Sequence, residues 1–291
     1  EAMEAAIKVA ERAQGAKRSK IVYAENAFHG KSKGVLSITD SGLYRSEFRL
    51  VDGMVKVPFG DIAAIERAIE SDPEIGIVVL ETIQGGAGIV EAPAGFWREL
   101  RALCDRHGVL WVADEVQCGL GRTGRFYAFE HEGVVPDVTA LAKSLGGGKA
   151  PMGAMIAKAD IYKRAYGSPK TALIHGPATF GGMGEGCITA IEGLNILYDE
   201  DLMGNAERQG AYLIERLEDL RGQRVVLNYR GLVHLDRLNR AVLATAELTE
   251  EDVDAVTAAG LPEGARLVAE GRADAVAMGY RLPLVRQMDA S

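Results

Sequence analysis

Asp114 and Lys143 carry the clearest chemistry in this sequence. Asp114 closes an apolar run, Val109–Ala113 (VLWVA), and Lys143 follows a second, Asp137–Leu141 (DVTAL), ahead of three glycines, Gly146–Gly148. An amine and a carboxylate brought to one sheet edge are the two groups that pyridoxal phosphate requires of a protein. The amine forms a Schiff base with the aldehyde, and the acid keeps the ring nitrogen protonated. Leu141, Ala142 and Leu145 flank the lysine, so its amine is expected to be partly withdrawn from water, which favours the neutral nucleophile.

Other residues fit around that pair, each with a plainer alternative. An isolated Asp at a strand end is often a turn cap, but a buried carboxylate needs a partner, and a pyridinium N–H is a suitable one. Glu115 is expected on the opposite side of the chain if strand geometry continues. Gln117 is close enough in sequence to donate to a phenolate oxygen on the same ring. His29, within Phe28–Gly30 (FHG), either stacks on a flat ring or is an ordinary loop histidine. Thr179, in ATFGG, reads as a phosphate cradle or as a turn. Lys149 after the glycines suggests a nucleotide P-loop, yet Ala150 stands where that motif needs Ser or Thr. Nothing beside Cys118 argues for an activated thiolate.

The elements that must hold these residues follow from hydrophobic pattern. AMEAAIKVAERA is helical, Lys20–Ala24 is a short buried strand, and Glu25–Gly53 reads as loop. Asp61 caps the helix DIAAIERAIESD, and IGIVVLE (Ile75–Glu81) is a continuous apolar strand ending on an acid. Gly95–His107 is helical, and Met152–Ala157 is a further strand after Asp137–Leu141. Two helices occupy Glu185–Arg221, and the remainder from Gln223 is α/β in pattern. Apolar strands alternating with amphipathic helices predict a mostly parallel sheet covered on both faces, with ligands bound beyond the carboxyl ends where Glu81, Asp114 and Lys143 lie.

Composition narrows the function classes. The chain has 291 residues, a net charge of -8 and an ordinary globular balance of 47% hydrophobic and 25% charged residues. That acidity argues against nucleic acid and anionic membranes as partners. No apolar run approaches the ~20 residues of a membrane span. The three cysteines lack CxxC spacing, which argues against a disulfide framework or a metal site and suits the cytoplasm. The chain opens at Glu1 inside a helical pattern without a capping residue, from which an upstream segment is expected.

Taken together, EAMEAAIKVA, FHGKSKG, ETIQGGAGIV, ADEVQCGLGRTG, PDVTALAKSLGGG and ATFGG resemble the class-III aminotransferases, the family of the ornithine, acetylornithine and 4-aminobutyrate transaminases. The resemblance runs from Glu1 to about Arg221. It implies a fold-type I α/β architecture, with a large cofactor-binding domain over residues 1–200 and a small domain over 201–291 that diverges after about 222. It also implies pyridoxal 5'-phosphate, an amine donor, a 2-oxo acid acceptor and a homodimer. Carried over residue by residue, Lys143 bonds the cofactor aldehyde and Asp114 the pyridine nitrogen. Gln117 contacts the ring hydroxyl, Phe28 stacks on the ring with His29 beside it, and Glu81 lies close by. Thr179 reaches the cofactor phosphate of the neighbouring subunit. The family's phosphate-gripping Ser-Gly-Thr/Ala stretch would precede Glu1. Gly86 stands where ornithine-type relatives carry a glutamate, and beyond Arg230–Leu232 the substrate-binding arginine has no recognisable position. Other chemistry of the same scaffold (aminomutase, racemase or decarboxylase) or a truncated, non-catalytic homologue are the alternatives.

Overall fold

The computed structural model describes residues 1–168, 170, 179–230 and 233–276. Its contacts divide the chain into two compact units, Glu1–Gly86 with Glu91–Ala206, and Ala87–Val90 with Glu207–Ser291. In the C-terminal half the division falls between Ala206 and Glu207. Among the expected motifs, Ala178 of ATFGG and the Gly231–Leu232 pair lie outside the described residues.

The first unit is built on a six-stranded sheet. Its strands are β1 (Lys20–Ala24), β2 (Met54–Val57), β3 (Ile75–Glu81), β4 (Leu110–Asp114), β5 (Val138–Leu141) and β6 (Ala154–Ala157), in spatial order β2-β1-β3-β4-β5-β6. All neighbours pair in parallel except β5 and β6, which are antiparallel. Strand alternation sorts the apolar residues onto two faces. Ile21, Tyr23, Ile77, Val79, Leu110 and Val112 join Met3, Ala6, Ile7 and Ala10 of α1 (Ala2–Gln14) and Ile161 and Ala165 of a later helix, Ala159–Tyr166. Val22, Val78, Leu80, Trp111 and Ala113 face the other way, onto Ile65 and Ile69 of α2 (Ile62–Ser71) and Phe96, Trp97, Leu100 and Leu103 of α3 (Phe96–His107). The middle strands are therefore buried on both sides, which is why β3 reads as an unbroken apolar run.

The local signals for these elements operate as physical devices. The Asp61 carboxylate accepts the Ala64 N–H at 2.8 Å and caps α2. Gly108, with φ 59°, ends α3 in the left-handed region that a glycine adopts without strain. Asp137 is buried between Arg101, Lys158 and the Trp111 N–H, and ties α3, β4, β5 and the end of β6 together.

The expectation of loop over Glu25–Gly53 needs correction. Two four-residue helical turns lie there, Lys33–Leu36 and Gly42–Arg45, and β2 follows immediately. The first turn is capped from a distance, because the Glu4 carboxylate of α1 accepts the N–H groups of Gly34 and Val35 and the Ser32 hydroxyl. A Cβ on Gly34 would sit 2.3 Å from a Glu4 oxygen, so this close approach requires glycine. Beyond the sheet, α5 (Gly184–Asp199) and α6 (Leu202–Glu218) are the two expected helices, Ala159–Tyr166 being α4.

The second unit has its own three-stranded parallel sheet, β7 (Arg224–Tyr229), β8 (Asp254–Ala258) and β9 (Ala275–Val276), ordered β8-β7-β9. Helices α7 (Val233–Ala244) and α8 (Leu261–Ala269) are the crossovers. Val225 and Leu227 pack with Leu243 and Leu248, while Val226 and Tyr229 pack with Ala258 and Leu267.

Trp111 anchors one face of the large sheet. It is fully buried, stacks on Trp97 with ring centroids 5.5 Å apart, and meets Phe129 edge-on. Trp111→Ala is expected to remove about 3–5 kcal/mol of stability, measured by urea denaturation. A midpoint equal to that of the wild type would contradict the assignment of Trp111 to the core.

Candidate active site

The carboxyl edge of the large sheet gathers the predicted residues into one place. Glu81 and Asp114 are register partners at the ends of β3 and β4. Phe28 and His29 lie on the segment after β1, and Lys143 starts a 3-10 turn, Lys143–Gly146, after β5. A cavity of about 190 Å³ is lined by Phe28, His29, Glu81, Asp114, Gln117 and Lys143, and by Glu1–Met3 at the start of α1.

Asp114 is held on both oxygens. Oδ1 accepts the Val116 N–H at 3.0 Å, the short-range turn that its sequence position suggested. Oδ2 lies 2.8 Å from His29 Nδ1, in a contact that leaves both side chains almost wholly buried. The imidazole is thus under the acid and is not free to stack, which corrects the ring-stacking reading of His29. Its Nε2 is buried with no hydrogen-bond partner among the described residues. Burial works against a charge on His29, but the bond to Asp114 and the negative charges of Asp114 and Glu81 outweigh it, and its pKa is raised. Burial also pushes Glu81 up to about 7, opposed by His29 and by the N–H groups of Phe28 and Gly85, and reinforced by Asp114.

Lys143 adopts φ 50°, a left-handed conformation that costs a non-glycine residue on the order of 1 kcal/mol or more and is concentrated at functional sites. Its Nζ donates to Gln117 Oε1 at 3.1 Å. The expected withdrawal of this amine from water does not occur in the described chain, where Lys143 is exposed. Leu141 and Leu145 are spent elsewhere, buried against Ala190 of α5 and not over the amine. Gln117 in turn depends on Gly85, because a Cβ there would sit 2.2 Å from Gln117 Oε1.

Glu115 does turn away from the cavity. Its buried carboxylate accepts the Thr82 hydroxyl at 2.6 Å and the N–H groups of Ala128 and Phe129, fixing the far end of the loop that begins at Val116. Cys118 lies beside it, and burial pushes its thiol pKa up, away from thiolate reactivity. Thr179 is exposed at a turn ahead of α5 and does not line the cavity of its own chain. Sequence reasoning missed the contributions of Gly85 and of Glu1–Met3. The glycine pair in QGGAG was a visible signal for the first, whereas only the three-dimensional path of α1 reveals the second.

The model of the aminotransferase class-III family matches residues 1–265. An aminotransferase of a Serratia species, PigE, is 41% identical over 221 residues, which is 76% of this chain and 25% of that protein. The ornithine aminotransferase of Toxoplasma gondii superposes with a TM-score of 0.67 at 31% identity, covering 75% of this chain and 51% of that one. An amine transaminase from an uncultivated Pseudomonas species, solved with pyridoxal phosphate bound, gives 0.69 at 30% identity, covering 75% and 55%. The chain spans about a quarter of the length of the Serratia relative and about half of these solved chains. It belongs to the class-III aminotransferase family.

The Glu81 carboxyl has a consequence for stability. Its pKa rises from 4.5 to about 7 on folding, so between those values the folded state holds a proton that the unfolded chain has released. The contribution of this group to stability is therefore greatest below pH 4.5 and is lost as pH rises through about 7, on the order of 3 kcal/mol in all. Glu81→Gln, which cannot ionise, is expected to flatten this part of the profile. Urea midpoints collected at about pH 5 and about pH 7.5 measure it, and identical slopes in both proteins would refute it.

Proposed function

We propose that this chain carries the catalytic core of a pyridoxal-phosphate-dependent aminotransferase, moving an amino group from an amine or amino acid to a 2-oxo acid in two half-reactions. The observation that carries the reading is the single cavity lined by Lys143, Asp114, Gln117 and Phe28. An amine, a buried acid, an amide and an aromatic ring are the donor set that this cofactor fits. When bound, pyridoxal phosphate supplies an aldehyde that takes up amines and a ring that accommodates an electron pair.

The residues of the chain divide the remaining work. Asp114, fixed by His29 and by the Val116 N–H, holds the ring nitrogen in its protonated form. Phe28 covers a ring face, and Gln117 orients the ring through its hydroxyl. Lys143 Nζ holds the aldehyde between turnovers. When free, the same amine would take the proton from the carbon bearing the substrate's amino group and return one as general acid. The N-terminus of α1 borders the same cavity without a side-chain cap, and its free N–H groups suit the phosphate. Thr179 is assigned to the phosphate of a neighbouring subunit's cofactor in a homodimer, consistent with its distance from the cavity of its own chain. The donor is a small amine and the compartment the cytoplasm; no helix among the described residues is long and apolar enough to cross a membrane.

Borohydride reduction with pyridoxal phosphate, followed by peptide mapping, is expected to leave a pyridoxyl group on Lys143 and none in Lys143→Ala. A tag on another lysine would overturn the assignment. Stoichiometric consumption of a 2-oxo acid separates transamination from mutase, racemase or decarboxylase chemistry on the same residues. Gly85→Ala, whose Cβ displaces the Gln117 amide, is expected to weaken cofactor affinity by about two- to tenfold, as loss of one hydrogen bond of about 0.5–1.5 kcal/mol implies. Fluorescence titration with pyridoxal phosphate measures it, and an unchanged dissociation constant would remove Gln117 from the site.

A further inference from the structure

We propose that Glu81 is a positioning residue of this site, whose buried carboxyl ties the Phe28–His29 segment to the end of β3 and so sets how His29 holds Asp114. The inference rests on the reading of Asp114 as the acid that faces the cofactor ring. It assigns Glu81 an action through its neighbours and not through direct contact with the cofactor.

The geometry is specific. Glu81 Oε2 accepts the Phe28 N–H at 3.0 Å, and the Gly85 N–H also bonds to this carboxyl. One side chain therefore holds both the segment carrying the aromatic ring and the glycine against which Gln117 rests. The next residue, His29, is fixed on its backbone side by its own N–H to Thr39 Oγ1 at 3.0 Å, and Thr39 passes that bond on to the Gly30 carbonyl. Among the described residues the imidazole has one polar contact, Nδ1 to Asp114. Because Glu81 and Asp114 are register partners on parallel strands, their side chains leave the same face of the sheet, with His29 beneath Asp114. Phe28 and His29 reach Glu81 and Asp114 respectively, as two adjacent teeth of one segment.

Glu81 is only 6% exposed and has no cationic side chain bonded to it among the described residues. The charged and titratable groups that share its cavity are His29 after β1, Asp114 at the end of β4, Lys143 after β5 and Glu1 ahead of α1. Of these, His29 lowers the pKa of Glu81 and Asp114 raises it, while Glu81 in turn raises that of His29. A carboxyl in this position consequently does two separable things. Its oxygen fixes the backbone of Phe28, which an amide oxygen can also do. Its charge favours protonation of His29, which an amide cannot do.

Glu81→Gln and Glu81→Ala separate the two, with the fold of each checked by circular dichroism. The first readout needs no cofactor. The imidazole titration of His29, followed by nitrogen-15 NMR of the histidine-labelled chain and assigned with His29→Asn, is expected to move to lower pH in both variants. The second readout is fluorescence titration with pyridoxal phosphate, in which Glu81→Gln is expected to bind at least tenfold more tightly than Glu81→Ala. A His29 titration unmoved in both variants, or equal affinities of Gln and Ala, would overturn the proposal. Should borohydride fail to label Lys143 while His29 still shifts, the aminotransferase reading falls and the link between Glu81 and His29 stands.

Discussion

A carboxylate at the end of a buried strand cannot stand alone, and the site is arranged around satisfying Asp114. Water is excluded from its side chain, so its two oxygens must find donors within the protein or a ligand. Val116, two residues on, supplies one, and the imidazole of His29 supplies the other. The first comes from local turn geometry. The second must be brought from the segment following β1, so the strand order β1-β3-β4 is a requirement of the acid as well as of the core. In that order β3 lies between β1, which leads to His29, and β4, which ends on Asp114, and the last residue of β3 is Glu81. The intervening strand thus contributes the side chain that anchors the segment reaching across it.

Charge follows from the same burial. Three titratable groups, Glu81, His29 and Asp114, share a space from which solvent is largely removed. The proton affinities of Glu81 and His29 then respond to the neighbouring charges more strongly than in water. Only one of the three can be cationic, and the two acids oppose each other. Glu81, with two backbone donors and no bonded cation, is the member whose charge is least supported, in keeping with the direction in which burial moves it. Burial moves Glu115 in the same direction. It is equally buried, but it accepts a hydroxyl and two N–H groups on the opposite side of the chain, where its role is to hold a loop. Adjacent acids acquire different roles because strand alternation sends them to different environments.

Much of this arrangement was legible in the residues. The strands ending on Glu81 and Asp114, the helix capped by Asp61 and the lysine after β5 follow from apolar runs and punctuation, which are local signals with physical causes. What was not legible depends on contacts between residues far apart in sequence. The helical turn at Lys33–Leu36 exists because Glu4 caps it from another helix, and nothing in KGVL announces that cap. The desolvation of Lys143 was inferred from apolar neighbours along the chain, yet Leu141 and Leu145 find partners in a helix that begins at Gly184. For His29 the residues left open a stacked ring or an ordinary loop histidine, because sequence shows shape and not burial. Sequence neighbours predict the backbone better than they predict a side chain's surroundings.

Two close approaches, at Gly85 and Gly34, also shape this edge. Both glycines lie where a side chain from elsewhere, Gln117 or Glu4, occupies the volume a Cβ would need. Both of those side chains act on the site, Gln117 through Lys143 and Glu4 through the segment after His29. Lys143 itself holds a left-handed backbone that a glycine would adopt without cost. A lysine stands there despite the strain, whereas glycines stand at the two close approaches. Strain accepted at the reactive amine and volume surrendered around its partners are complementary signs that this edge is shaped by what it must hold and not by packing alone.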